Sequence, residues 1–271
     1  MKSLQDKRAL ITGGAQGIGL SIARALAADG AEIVLTDINA ETLDKARGIL
    51  TAAGAKCHTY ILDVTDKESI AATRDRLHEE VGPIDLLVNN AGVVHGGAFL
   101  EVPLEQHLQT LRVNAEGLVA VTHAFLPDLI ASQDSHLINM SSASGLVGLP
   151  WGSTYAASKW AVFGFSESLR LELERTGHGH VGVTVVCPSY VSTGMFAGVK
   201  TPRLTTFLTP AKLAAKIKRA VLRRQPYVLE PWLIKITPFL KGVLPRPARD
   251  LLSDLFAGTT GMKTWKGREG D

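Results

Sequence analysis

Along most of this 271-residue chain, short apolar runs of strand length alternate with longer segments of helical period. This alternation restricts the fold more than any other feature, because strands joined by helical crossovers assemble a parallel sheet with helices packed on its faces. Strands are read at Arg8 to Ile11, Glu32 to Thr36, Lys56 to Leu62, Leu86 to Val88, His136 to Met140, Val181 to Val186 and Tyr227 to Leu229. Helical stretches fall at about 17–29, 40–53, 67–80, 103–130, 154–176 and 210–224, with Asn39, Thr65 and Ser153 as capping residues before periodic runs. The expected architecture is α/β: a single doubly wound sheet of about seven parallel strands with helices on both faces, which binds its ligand at the carboxyl ends of the strands.

One domain suffices for a chain of this length, placed at residues 1–230, with 231–271 as an appended tail. Prolines at 231, 238, 245 and 247 interrupt the apolar clusters of that tail. The 29 Lys and Arg against 26 Asp and Glu leave a formal charge of +3, too small an excess to argue for nucleic acid as a partner. Cys57 and Cys187 are the two cysteines, and both lie in apolar strand-like runs, so neither a disulfide framework nor a metal centre is indicated. A reducing, cytoplasmic setting is expected. The first residues lack the apolar core of a signal peptide, and no run of 18 apolar residues suggests a membrane span.

The first strand runs into Thr12-Gly13-Gly14-Ala15-Gln16-Gly17-Ile18-Gly19, after which a helical pattern begins. Glycine permits a sharp turn and close approach to a diphosphate, while a helix N-terminus offers unpaired N–H groups and partial positive charge. Gly13, Gln16, Gly17, Ile18 and Gly19 are therefore candidate cofactor residues. The second strand ends on Asp37, where a carboxylate would accept hydrogen bonds from the adenosine ribose hydroxyls and repel a 2′-phosphate. This favours NAD over NADP. Asp63 and Val64 close the third strand, and Asn90, Ala91 and Gly92 follow the fourth as a turn small enough to pass beside a cofactor.

The strand ending at Met140 leads into Ser141 and Ser142, and further on Tyr155 and Lys159 stand four positions apart on one helix face. An ordinary phenol is a poor base at neutral pH, but an ammonium nearby favours the phenolate. Lys159 would thus tune Tyr155, and Ser142 could hydrogen-bond a substrate oxygen as charge develops on it. Taken in order, Thr12-Gly13-x3-Gly17-x-Gly19, Asp63, Asn90-Ala91-Gly92, Asn114, Ser142, Tyr155-x3-Lys159 and Cys187-Pro188-Ser189-Tyr190-Val191-Ser192-Thr193 resemble the short-chain dehydrogenase/reductase family, in its shorter oxidoreductase branch.

The resemblance spans roughly residues 5–230 and implies a Rossmann-type fold with a catalytic tetrad of Asn114, Ser142, Tyr155 and Lys159. Tyr155 would be the general acid or base, Lys159 would also hold the nicotinamide ribose, and Asn114 would hold a water of a proton relay. Pro188, Val191 and Thr193 join the implied cofactor set, with no metal required. Where the family usually carries glycine after that proline, this chain has Ser189, which puts the geometry of the loop in question.

Met195, Phe196, Val199, Leu204, Phe207 and Leu208, with Leu146, Val147, Leu149 and Trp151, suggest an apolar pocket in which Lys200 and Arg203 are the few nearby charges. The expected activity is an NAD-dependent interconversion of a lipophilic secondary alcohol (steroid, aryl or long-chain) and its ketone. The alternatives are a non-catalytic nucleotide-sensing protein on the same fold and an NADP-using reductase of another carbonyl class. Trp232, Leu233, Ile234, Ile236, Phe239, Leu240 and Val243, with Lys235 and Lys241, would pack over the pocket, over a neighbouring subunit or on a membrane surface. The family resemblance implies a homodimer or homotetramer.

Overall fold

The computed structural model describes residues 1–199, 207–255 and 261–267. Its sheet has seven parallel strands: β1 (Arg8–Thr12), β2 (Glu32–Asp37), β3 (Cys57–Ile61), β4 (Leu86–Asn89), β5 (Ser135–Met140), β6 (Val181–Pro188) and β7 (Tyr227–Glu230). The order is β3-β2-β1-β4-β5-β6-β7. Chain direction across the sheet reverses between β1 and β4, and the crevice this leaves at the strand carboxyl ends is where open α/β sheets take their ligands.

Alternation along the strands sends side chains to two cores. Ala9 and Ile11 of β1 and Ile33 and Leu35 of β2 face α1 (Gly17–Ala27), α2 (Ala40–Ala52) and α7 (Pro210–Leu222). Leu10, Val34, Leu87 and Leu137 face the other layer, where α3 (Lys67–Glu80) contributes Ile70 and Leu77 and α5 (Leu118–Ala131) contributes Val121, Phe125 and Leu129. Full burial of such a side chain contributes roughly 1.5–3 kcal/mol. A one-residue slip of any strand would exchange the two sets, so the register is held by both cores at once.

Several boundaries differ from the sequence reading. The long helical stretch at 103–130 is α4 (Leu104–Leu111), a π-helical segment (Arg112–Gly117) and then α5. The apolar pattern does not reveal an i→i+5 turn, because one inserted residue leaves the helical period nearly intact on either side. Gly117 stands where this segment passes β3's exit, and a Cβ there would lie 2.8 Å from the Val64 carbonyl oxygen. The cap of α3 is Asp66, whose side chain accepts from Glu68 N, while Thr65 is bound to Asp63 instead. Ser153 is the first residue of α6 (Ser153–Arg175), and Gly152 takes the cap position. β6 runs on to Pro188, opposite Glu230 of β7. After the sheet come α8 (Leu233–Val243), α9 (Arg246–Leu255) and a 3₁₀ turn (Gly261–Thr264). No helix among the described residues is long and apolar enough to cross a membrane.

His136 lies fully buried in β5. Its Nε2 is 2.7 Å from Thr184 Oγ1, and that hydroxyl donates to the Gln225 carbonyl at 2.6 Å, so Nε2 must carry the ring proton. Nδ1 has no hydrogen-bond partner and faces Gly182, where a Cβ would come within 2.3 Å of it. Burial first, then the N-terminal ammonium and Arg224, holds the imidazole down from the ordinary 6.5 to about 3. The unfolded chain therefore binds a proton below pH 6.5 that the folded chain refuses. The contribution is complete above that pH and is lost progressively as pH falls towards 3. Thermal melts between pH 7 and pH 5, above the range where exposed carboxylates titrate, should fall more steeply for the wild type than for His136→Gln. Equal slopes would refute the assignment.

Candidate active site

The turn after β1 is shaped by contacts that exclude side chains. Gly13 has φ +58°, and a Cβ there would lie 2.9 Å from the Ala91 Cα. Gly17 has φ +56° and faces the Thr193 methyl at 3.3 Å. Gln16 caps α1 without a side-chain hydrogen bond, which leaves the first N–H groups of the helix open to an anion. Asp37, at the end of β2, accepts from Ala15 N through Oδ2 (3.2 Å) and from Asn39 N through Oδ1 (3.3 Å), so the carboxylate braces the turn that it borders. Thr12 is the clamp that the sequence showed only as part of a motif. Its hydroxyl oxygen accepts from Asn90 N (3.0 Å) and Ala91 N (3.1 Å), while Asn90 Nδ2 donates to the carbonyls of Thr12 (3.0 Å) and Gly13 (2.9 Å). The exits of β1 and β4 are thereby tied into one floor. A dinucleotide fits it: two glycines whose absent Cβ atoms leave room, free helix N–H groups for a pyrophosphate, and a carboxylate one strand away.

The opposite wall is built where β5 meets α6. Ser141 Oγ donates to the Lys159 carbonyl (2.7 Å), and Lys159 Nζ donates to the Met140 carbonyl (2.9 Å). Gly145 lies under this joint, since a Cβ on it would meet Ser141 Oγ and, at 2.7 Å, the Lys159 carbonyl oxygen. Ser142 Oγ accepts from Ser144 N (3.2 Å), capping the 3₁₀ turn Ala143–Gly145, and donates to the Pro188 carbonyl at 3.5 Å. Tyr155 and Lys159 share one face of α6, with Nζ 5.6 Å from the ring centroid.

Both groups are buried, and burial governs their protonation. It pushes the Tyr155 phenol above its ordinary value, with the Ser142 hydroxyl opposing in part. It lowers the Lys159 ammonium from 10.5 to about 8. Against the expectation that Lys159 would draw the phenol down, desolvation of the phenolate decides the direction.

Asn114 sits in the π-helical segment, buried. Its Nδ2 donates to the Val93 carbonyl (2.9 Å) and Ser158 Oγ (3.1 Å), and its Oδ1 accepts from Val93 N (2.8 Å). It stands behind Gly92, whose hypothetical Cβ would lie 3.1 Å from Asn114 Oδ1 and 3.6 Å from Lys159 Nζ. Asn114 is thus a neighbour of Lys159 but forms no part of the cavity wall.

A cavity of about 800 Å³ joins these walls. Gly13, Gln16, Gly17, Ile18, Asp37, Asp63, Val64, Asn90, Ala91, Gly92, Pro188, Val191 and Thr193 line it, together with Ser142, Tyr155 and Lys159. Gly19 does not. A Cβ on Gly19 would lie 2.4 Å from the Gly13 carbonyl oxygen and 2.8 Å from Asn90 Nδ2, so this glycine lets α1 pack under the turn. Val147, Leu149, Met195 and Phe196 form an apolar half of the cavity, α8 adds Leu233, Ile234, Ile236, Thr237 and Leu240, and Leu244 follows just after it. The amphipathic period of α8 is visible in the sequence, but its place in the wall is not. Leu146 belongs to a separate cluster with Val185 and Cys187. Lys200, Arg203 and Leu204 lie outside the described residues. His95 Nδ1 rests 3.1 Å from Thr110 Oγ1, away from the cavity wall. Ser189 does not adopt a left-handed backbone, and its N–H donates to the Glu230 carbonyl at 2.7 Å, extending the β6–β7 ladder. The position therefore needs none of glycine's freedom.

A doubly wound sheet, a glycine turn at its switch point and a tyrosine–lysine pair across the cavity define a dinucleotide-dependent oxidoreductase. Residues 7–203 match the family model described as short chain dehydrogenase. The chain is 35% identical over 271 residues to epidermal retinol dehydrogenase 2 of Mus musculus, covering 97% of this chain and 88% of that protein. It is 35% identical over 268 residues to retinol dehydrogenase 10-B of Danio rerio, covering 90% and 80%. Among solved structures, a short chain dehydrogenase/reductase from Burkholderia phymatum in complex with NAD superposes with a TM-score of 0.82 at 27% identity, over 93% of this chain and 97% of that one. This chain belongs to the short chain dehydrogenase family. It is an oxidoreductase of the alcohol–carbonyl couple that works with a nicotinamide dinucleotide.

Proposed function

We propose that the chain interconverts a lipophilic secondary alcohol and its ketone, with NAD as the preferred dinucleotide. The observation that carries the substrate class is the apolar half of the cavity, where Val147, Leu149, Met195, Phe196 and Leu240 line the same space as Tyr155 with few polar groups to satisfy a polyol. Relatives named for retinol, a lipophilic primary alcohol, support the lipophilic character of the substrate. Asp37 carries the preference for NAD, since it lines the cavity where a ribose would lie and would repel a 2′-phosphate.

When bound, the dinucleotide supplies the hydride acceptor or donor at its nicotinamide ring. In oxidation Tyr155 Oη takes the proton of the substrate hydroxyl, and in reduction it returns one to the carbonyl oxygen. Ser142 Oγ, which lines the same cavity as the phenol, holds the substrate oxygen while its charge changes. Lys159 holds the ribose side of the cofactor and adds positive charge beside the phenol whenever it is protonated. Asn114, next to Lys159 across Gly92, continues the proton path towards solvent.

The test is to compare kcat/KM for a long-chain secondary alcohol such as 2-undecanol with that for sorbitol, using NAD. A preference of 100-fold or more for the lipophile is expected, on the order of 3 kcal/mol of apolar burial; a preference for sorbitol would sink the proposal. Trp232, just before α8, and Phe239 and Val243 on it are exposed. With Lys235 they suit reversible contact with an anionic lipid surface, a part of the proposal that failure to float with anionic vesicles removes. Light scattering that returns a monomer would likewise remove the homodimer or homotetramer.

A further inference from the structure

Behind the loop that covers the apolar half of the cavity runs a segment from the far end of the chain. Trp265 Nε1 donates to the Met195 carbonyl (3.0 Å), Lys266 N to the Ala197 carbonyl (2.9 Å) and Thr264 Oγ1 to the Gly198 carbonyl (2.6 Å). All three acceptors are main-chain carbonyls of one loop, so the tail supplies hydrogen bonds that the loop does not make within itself. Met262 is 2% exposed and joins the cluster of Val94, Tyr155 and Val199, with Trp265 packed against it. Two glycines mark the path. A Cβ on Gly96 would lie 2.9 Å from Met262 and from the Trp265 ring, and one on Gly198, at φ +80°, would lie 2.3 Å from the Thr264 carbonyl oxygen.

The other side of the same loop faces the reacting groups. Phe196 sits edge-on to Tyr155, with centroids 5.8 Å apart, and to Tyr190 at 5.3 Å. Met195 and Phe196 line the cavity, whereas Met262 and Trp265 do not. The near end of the loop has its own anchor: Val191 bridges to Leu208, Ser192 N donates to the Leu208 carbonyl (2.9 Å) and Leu208 N to the Tyr190 carbonyl (3.0 Å). Among the described residues, the stretch 195–198 has no such main-chain link to the sheet. Besides the packing of Phe196 on Tyr155 and Tyr190, its main-chain hydrogen bonds outside the loop go to the tail.

We propose that Trp265 is a positioning residue for the alcohol: residues 262–266 form a strap that holds Met195 and Phe196 against Tyr155 and so sets the fit of the substrate without touching it. Released from the strap, the loop samples several positions, and the substrate must order it again on binding. That cost falls on the alcohol. The dinucleotide contacts at Val191 and Thr193 lie on the separately anchored end.

This inference rests on the proposed role of Tyr155 as the reacting group, and its test separates the two. Steady-state kinetics of Trp265→Ala, on whichever alcohol the wild type uses best, should show KM for the alcohol raised about tenfold, with Kd for NADH from fluorescence titration within twofold of wild type. Trp265→Phe keeps the ring and loses the Nε1–H bond, so it should recover at least half of that loss on a logarithmic scale. Should Trp265→Ala fail to fold, Thr264→Val and Trp265→Phe, each removing one bond to the loop, should each raise the alcohol KM about threefold. An alcohol KM within twofold of wild type in all folded variants overturns the strap, as does a loss of NADH affinity in parallel with it. Full activity of Tyr155→Phe would instead overturn the mechanism and leave the strap result standing.

Discussion

Tyr155→Phe should fold, bind the dinucleotide and lose about 10³-fold in kcat/KM, the scale of a positioned proton-transfer group. The ring is the structural part of this residue: it packs with Val94, Val199 and Met262 and lies edge-on to Phe196, contacts that phenylalanine keeps. The hydroxyl lines the cavity and loses at most one hydrogen bond, so stability should change by no more than about 1 kcal/mol. Burial holds the phenol above its ordinary pKa, which makes the base form the minority species at neutral pH. Wild-type oxidation should therefore speed up as pH rises, and reduction, which needs the protonated phenol, should slow. Full-range pH profiles of kcat/KM check both directions. A variant that kept activity within tenfold would show that another group moves the proton.

Asp37→Asn should carry the second largest effect, an exchange of dinucleotide preference with the fold unchanged. The amide oxygen can still accept from Ala15 N, so the brace across the glycine turn survives in part. What disappears is the charge. A ribose hydroxyl bonded to a carboxylate is worth about 1.5–3 kcal/mol, so kcat/KM with NAD should fall roughly 10- to 100-fold. Efficiency with NADP should rise as the repulsion of its 2′-phosphate is lifted. The measured quantity is the ratio of kcat/KM for the two dinucleotides, and a ratio within threefold of wild type would remove Asp37 from the recognition of the cofactor.

The parts of this molecule that were legible in advance are those whose physics is local. Leu10 alternates with Ala9 and Ile11 because a strand has a period of two, and that alternation alone assigns them to opposite faces. Gly13 and Gly17 lie within a few residues of each other, and Tyr155 and Lys159 within one helical turn, so their spacing already states their relation. Asp37 was readable because it ends a strand whose apolar pattern is unmistakable. The packing role of Gly19 was not legible, because what its missing Cβ makes room for depends on the Gly13 carbonyl and Asn90, brought there by two different strand exits.

The sequence by itself determined the seven strands, their helical crossovers, the glycine turn, the acidic strand end and the tyrosine–lysine pair, because each follows from backbone geometry and short-range spacing. Only the tertiary structure decided that the π-helical segment seats Asn114 behind Gly92, that α8 completes the cavity and that Trp265 reaches back to Met195. It also decided the protonation of Tyr155 and Lys159. Desolvation depends on what surrounds a group on every side, and nearly all of those surroundings come from residues far away in the chain.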